Sequence, residues 1–171
     1  GTGTILIEAA FRRANRAPGL TRSFAMEQWH FAQADQCRRI REEAQGLFDP
    51  RLVEGITGSD VDPQALALCE KHLRQAGLQG RVRVYEKDLR DLPPFAPDTC
   101  VITNPPYGER LGGKKEAETL YRQMRKLETQ SHAGRVCVLT ANPAFERLYG
   151  KRATKKRRLY NGRLECEYLI F

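Results

Sequence analysis

The tetrapeptide Asn104-Pro105-Pro106-Tyr107 follows directly on the apolar run Cys100-Val101-Ile102-Thr103. Two successive prolines hold φ at both positions and remove two N–H donors. The first also biases Asn104 toward an extended backbone. The product is a stiff corner at a strand end, offering the Asn104 amide oxygen and the Pro105 carbonyl as acceptors, with Tyr107 beside them as a flat face. Those groups suit methylation of an amino group conjugated to a flat ring. Such a nitrogen is a poor nucleophile because its lone pair is delocalised into the ring. Accepting its two N–H bonds at Asn104 Oδ1 and the Pro105 carbonyl pulls it toward tetrahedral geometry and aims the lone pair at a methyl donor. Positioning and preorganised electrostatics do this work without a strong base. Taken alone, the tetrapeptide is also a rigid turn, and the surrounding elements must decide.

In an open α/β sheet, ligands gather outside the carboxyl ends of the strands, so the order of elements matters. Residues 5–11 show helical apolar spacing, and Pro18-Gly19 breaks that helix. Residues 21–31 are irregular and aromatic (Phe24, Trp29, Phe31), and 35–47 reads as a polar amphipathic helix. A strand is expected over 52–59, ending in Asp60. Asp62-Pro63 places an N-cap before a proline at the first helical position, opening a helix that Gly77 closes. Val82-Arg83-Val84-Tyr85 alternates as a strand ending near Asp88. Pro93, Pro94 and Pro97 mark a loop before the Cys100–Thr103 strand. Residues 108–115 read as a basic, Gly-rich, mobile loop. A helix over 116–129, a buried strand over 136–140 and a short helix over 143–149 follow. Two strand-like runs flank Asn161-Gly162, a strong hairpin signal. Strands alternating with helices predict an α/β fold. The expected form is a Rossmann-like S-adenosylmethionine-dependent methyltransferase: a mostly parallel doubly wound sheet with a C-terminal antiparallel hairpin. The chain begins in its own glycine loop, so we expect an N-terminally truncated fragment that lacks the first strand.

Three features fall at successive strand ends. Gly1 and Gly3 open a Gly-x-Gly loop before a helix, where the missing Cβ lets backbone approach a ligand. Asp60 ends the second expected strand and can accept from both hydroxyls of a ribose. Asp88 ends the third and can accept from an adenine amino group, with Val61 and Leu89 placed to sandwich the ring. Each acid alone is equally a turn or loop residue, and Asp62 is better explained as a helix cap. In this order, ahead of the Asn-Pro-Pro-Tyr corner, they describe an S-adenosylmethionine site. A nicotinamide enzyme is the rival for a Gly-x-Gly loop with a ribose acid, but the corner has no role in hydride transfer.

Composition bounds the rest. The 171 residues suffice for one domain with a core. Lys and Arg number 29 against 21 acids, a net charge of +8 and a pI of about 9.5. The excess is clustered, at Lys151, Arg152, Lys155, Lys156, Arg157 and Arg158 and again at Arg12, Arg13 and Arg16, as a polyphosphate partner requires. A solvated face explains such a cluster equally well. Five cysteines (Cys37, Cys69, Cys100, Cys137, Cys166), odd in number and without a Cys-x-x-Cys, argue against a disulfide framework or zinc site and for a reducing, cytoplasmic compartment. His30, His72 and His132 have no ligand spacing, so no metal is expected. No run spans a membrane and no signal peptide is seen.

The chain resembles the bacterial large-subunit (23S) rRNA guanine-N2 methyltransferases that carry a THUMP RNA-binding domain. The segments that carry this resemblance are Gly1-Thr2-Gly3-Thr4-Ile5-Leu6-Ile7-Glu8-Ala9-Ala10, Gly58-Ser59-Asp60-Val61-Asp62-Pro63, Asn104-Pro105-Pro106-Tyr107-Gly108-Glu109-Arg110-Leu111 and Leu159-Tyr160-Asn161-Gly162. Phe24-Ala25-Met26-Glu27-Gln28-Trp29 is similar to an insert of that group. Two of its features are missing here: the acidic residue that ends a first strand, and the THUMP domain that precedes catalysis. The resemblance implies a single catalytic domain over 1–171, S-adenosyl-L-methionine as cofactor held by Gly1, Gly3, Thr4, Asp60, Val61, Asp88, Leu89 and Asn104, and catalysis by Asn104, Pro105 and Tyr107. The substrate it implies is 23S rRNA or a ribosomal precursor, met by Pro106, Tyr107, Arg110, Lys114 and Lys115. A base inside folded RNA must be flipped or unpaired to reach the corner, and Tyr107 then stacks on it. An adenine-N6 methyltransferase acting on DNA or RNA shares the Asn-Pro-Pro-Tyr corner and is the nearest alternative; a nucleic-acid-binding module without turnover is another.

Overall fold

In chain order the elements are α1 (Thr4–Arg13), α2 (Ala34–Gly46), β1 (Thr57–Asp60), α3 (Pro63–Gln75), β2 (Arg83–Glu86), β3 (Cys100–Thr103), α4 (Gly113–Met124), α5 (Lys126–Thr129), β4 (Arg135–Thr140), α6 (Phe145–Tyr149), β5 (Lys155–Asn161) and β6 (Leu164–Ile170). They come from a computed structural model that describes residues 1–108, 113–129 and 134–171. The chain divides into two units, Gly1–Lys87 and Asp88–Phe171, each built around its own core.

In the first unit, α1 stops before the proline expected to break it. Asn15 takes a left-handed φ of 56°, which Asn tolerates because its short side chain can bond locally. α3 opens as its sequence dictates: Pro63 is the first helical residue, and Asp62 accepts from the Gln64 N–H at 2.9 Å. The strand expected over 52–59 is shorter. Asp49 accepts from the Arg51 N–H and curls Pro50–Leu52 into a 3-10 turn, and Gly55 reverses the chain at φ 68°. Extended pairing therefore begins only at Thr57, where β1 runs parallel to β2 from Thr57↔Arg83 to Asp60↔Glu86. Its core packs Ala10, Ala14 and Cys69 with the larger Val53, Leu73, Leu78 and Val82. The irregular segment after α1 is tied to α2 by Arg41, whose guanidinium donates to the carbonyls of Leu20 and Arg22 and to Glu27 Oε1.

The second unit holds a four-stranded sheet in the order β3-β4-β6-β5. β3 and β4 are parallel, and the hairpin β5–β6 adds two antiparallel strands, with β6 against β4. Both expected kinds of pairing are thus present. Alternation sorts the sheet into two faces. Val136, Val138 and Leu169 point into a core with Tyr121, Met124, Phe145 and Tyr149. Cys137, Cys166, Tyr168 and Ile170 point the other way, as the cross-strand pairs Cys137↔Ile170 and Leu139↔Tyr168 require.

α4 corrects the end of the expected loop over 108–115, of which 109–112 lie outside the described residues. The helix begins at Gly113, so Lys114 and Lys115 lie in its exposed first turn. Two ammonium groups at a helix N-terminus oppose its dipole, and beside a glycine run they read as loop. Burial of Ala117, Tyr121 and Met124 at helical spacing overrides that local preference. The helix also ends earlier than expected, at Met124. α5 follows separately, and its Glu128 accepts from Arg125 at 2.6 Å and from Lys151.

Candidate active site

Asp60 is the last residue of β1, and its carboxylate is held from two sides. The Asp62 N–H donates to Oδ1 at 3.0 Å, and the Gly1 amino nitrogen donates to Oδ2. Burial pushes the carboxyl up in pKa, while the backbone N–H groups of Asp62 and Val61 favour its charged form. Asp60 therefore stays an acceptor at neutral pH. The structure brings Gly1 and Asp60 together, two residues 59 positions apart. The neighbouring loop is pinned as well, through a 2.9 Å bond between Thr2 O and His72 Nδ1.

Gly3 precedes α1 at φ 92°, and a Cβ there would lie 2.5 Å from Cys69 Sγ. The left-handed φ and the close packing of the loop on α3 both favour glycine here. A Cβ on Gly1 would meet nothing within 4 Å. Thr4 is the exposed first residue of α1, and Val61, just past Asp60, is 59% exposed.

Asp88 is placed differently from the expectation. β2 ends at Glu86, and Asp88 caps the 3-10 turn Leu89–Asp91. Its Oδ1 accepts from the Arg90 N–H at 2.8 Å and from Arg90 Nε at 2.9 Å, and its Oδ2 accepts from Arg90 Nη2 at 2.6 Å. This fork lowers the carboxyl pKa to about 2. Arg90, two residues on, is the partner that sequence reading missed. Leu89 is half-buried against the core of the second unit.

The Asn-Pro-Pro-Tyr corner follows β3 as expected. Pro105 is buried, while Asn104 and Pro106 are exposed. The Tyr107 hydroxyl donates to Asn104 Oδ1 at 2.6 Å. Behind it, the thiol of Cys166, 1% exposed, approaches the Tyr107 oxygen at 3.8 Å. Burial, reinforced by that thiol, pushes the Tyr107 hydroxyl up in pKa, so it keeps the proton it donates. One lone pair of Asn104 Oδ1 is thereby used to orient the amide, and the second remains for a ligand N–H. The Tyr121 hydroxyl donates to the Pro106 carbonyl at 2.6 Å and anchors the corner to α4. Gly108 closes it at φ 83°, where a Cβ would come within 2.8 Å of Lys114 Cα. Cys166 and Tyr121 gave no local signal, since they reach the corner from 59 and 15 residues away. Arg110 lies outside the described residues.

The first unit thus holds a strand-end carboxylate at Asp60, and the second, by itself, an amide oxygen at Asn104 oriented by Tyr107. Residues 1–170 match a protein family described as RMKL-like, methyltransferase domain (UPF0020). The chain belongs to that family. It is a methyltransferase domain of α/β type, with parallel strands and an antiparallel hairpin. It is 38% identical over its whole length to the ribosomal RNA large subunit methyltransferase K/L of Syntrophotalea carbinolica, and 36% identical to that of Allochromatium vinosum. It is also similar to the crystal structure of SMU.472 complexed with SAH, with a TM-score of 0.90 and 35% identity over the whole chain. The chain spans 25% and 24% of the two ribosomal RNA methyltransferases and 45% of the SMU.472 chain.

Proposed function

We propose that this methyltransferase domain transfers a methyl group to the exocyclic N2 of a guanine in 23S rRNA or a ribosomal precursor, with S-adenosyl-L-methionine as donor. The observation that carries the reading is the Tyr107–Asn104 bond at the end of β3. It orients the amide oxygen of the residue that precedes Pro105, in a chain of the RMKL-like family. We take residues 1–171 as one catalytic domain, acting in the cytoplasm. Among the described residues no helix is long and apolar enough to cross a membrane.

The residues of the first unit fit the donor. Asp60 is ionised and half-buried at a strand end, suited to ribose hydroxyls, and the exposed Val61 beside it offers an apolar contact for a base. Gly1, Gly3 and Thr4 line the same strand-end loop, and we assign Asp88, Leu89 and Asn104 to the donor as well. S-adenosylmethionine, when bound, supplies an electrophilic methyl group. Asn104 Oδ1 and the Pro105 carbonyl accept the two N–H bonds of the target amine and turn its lone pair out of conjugation. The nitrogen becomes acidic only as it is methylated, so its proton leaves late and needs no strong base. Tyr107 both orients Asn104 and presents ring surface to the target base, and Pro106, Arg110, Lys114 and Lys115 are assigned to the RNA.

Replacing Asp60 by alanine is expected to weaken donor binding by about 10- to 100-fold, the cost of losing a charge-assisted hydrogen bond of about 1.5–3 kcal/mol. Calorimetric titration of the full-length protein with S-adenosylhomocysteine reads this, and unchanged affinity removes Asp60 from the site. The target base is tested with single-stranded oligoribonucleotides containing guanine or adenine as the sole purine. Labelled methyl should appear only on the guanine probe. Transfer to adenine alone would establish the amine of the other purine as the target.

A further inference from the structure

β5 is exposed along its whole length, and its sequence Lys155-Lys156-Arg157-Arg158-Leu159-Tyr160-Asn161 alternates between the two faces of the sheet. Its cations are treated differently on the two faces. On the core-facing side, Lys156 pairs with Glu146 of α6, and Arg158 pairs with Glu165 of β6 at 3.1 Å. On the opposite side, Lys155 and Arg157 face Ile170 and Tyr168 across the ladder. Among the described residues neither forms an ion pair. The cause lies in β6: register places Glu165 and Glu167 on the core-facing side and Leu164, Cys166, Tyr168 and Ile170 on the other, so the second face has no acid from β6.

That second face also carries the catalytic corner. Leu159, 43% exposed, pairs with Cys166, and the thiol of Cys166 touches the Tyr107 hydroxyl. Moving from the corner along β5, the same face presents Leu159, then Arg157, then Lys155, at steps of about 7 Å. An exposed leucine followed by two cations that form no ion pair among the described residues, leading away from the corner, matches the needs of a single nucleic-acid strand. Its backbone is met by positive charge and its bases by apolar or aromatic surface.

We propose that this face of the β5–β6 hairpin is an RNA-docking surface, on which Arg157 and Lys155 bind phosphates flanking the nucleotide held at Asn104. The proposal rests on the RNA-methylation reading for the identity of the strand, and it assigns a role to the part of the basic cluster that internal pairing leaves over. The opposite cations, Lys156 and Arg158, serve the fold through Glu146 and Glu165.

The experiment compares two charge-matched double variants of the full-length protein, Lys155→Ala with Arg157→Ala, and Lys156→Ala with Arg158→Ala. Binding to a labelled oligouridine of about 12 nucleotides with one central guanine is measured across a salt series, without methyl donor. Removing Lys155 and Arg157 is expected to weaken binding roughly tenfold near physiological salt and to reduce the salt slope by about 1–1.5, as for two lost phosphate contacts on a single strand. Removing Lys156 and Arg158 should change affinity less than threefold. Arg157→Lys should retain the wild-type slope, since the contact is one of charge. Equal losses in the two double variants, no loss in either, or a loss seen with anionic vesicles and not with RNA would each overturn the proposal. A wild-type protein that binds the probe on this face yet methylates no guanine would refute the methylation reading alone.

Discussion

Asn104→Ala lowers the rate of methyl transfer by about 10²- to 10³-fold, the usual cost of deleting one preorganised hydrogen-bonding group aimed at a reacting atom. Alanine keeps the backbone of the corner and its Tyr121–Pro106 anchor, but removes the oxygen that Tyr107 orients at 2.6 Å. The target amine then keeps one acceptor, the Pro105 carbonyl, and its lone pair stays conjugated with the ring. The measurement is single-turnover transfer of labelled methyl to unmodified rRNA by the full-length protein at saturating donor. A wild-type rate in this variant would eliminate the mechanism. The two roles of Tyr107 separate in the same assay. Tyr107→Phe keeps the ring and loses only the bond to Asn104, so a fall of about fivefold is expected from a hydrogen bond worth about 1 kcal/mol. Tyr107→Ala also loses ring surface worth about 1–3 kcal/mol if a base stacks there. Equal losses in the two variants would confine Tyr107 to orienting Asn104.

The other large effect concerns stability. Phe145 on α6 is 1% exposed and packs against Tyr121 at 4.7 Å, Tyr149 at 5.6 Å and Phe171 at 6.3 Å between ring centroids. Phe145→Ala empties the middle of this aromatic cluster, and such truncations cost about 3–5 kcal/mol. That is a large part of the roughly 5–15 kcal/mol by which most domains are stable. The unfolding midpoint of the second unit should fall by roughly 15–30 °C, given a shift of about 4–8 °C per kcal/mol in a unit of this size. Calorimetric melting of the full-length protein reads this, and a shift of only a few degrees would show that the cluster does not carry the unit. The effect bears on function because Tyr121, beside Phe145, is the side chain that anchors the Pro106 carbonyl.

What could be read directly from the chain was local in origin. Asp62-Pro63 starts α3 because a carboxylate, a proline and the first turn lie within a few residues of each other. Asn161-Gly162 turns β5 into β6 because Gly162 adopts φ 63°. The stiffness of Asn104-Pro105-Pro106 is a covalent property of two prolines, so the corner and its acceptors needed no tertiary information. The strand end at Asp60 was legible for a similar reason, since the acid is followed within two residues by the Asp62-Pro63 helix start.

Other features depended on neighbours distant in sequence. Lys114 and Lys115 belong to a helix because Tyr121 and Met124 bury themselves in a core drawn from β4, α6 and β6, and local charge argues the other way. Gly3 is held to glycine by its left-handed φ and by Cys69, from α3, whose thiol occupies the space where a side chain would be. The bond that orients Asn104 is supported by Cys166, brought to Tyr107 by the pairing of β6 with β4. The charge asymmetry of β5 appears only once register decides which cations face Glu146 and Glu165. The sequence alone therefore determined the chemistry of the corner, because backbone rigidity and acceptor type are properties of the residues themselves. Tertiary structure decided which atoms orient that corner and which cations pair with acids among the described residues, because packing and strand register are set by residues far apart in the chain.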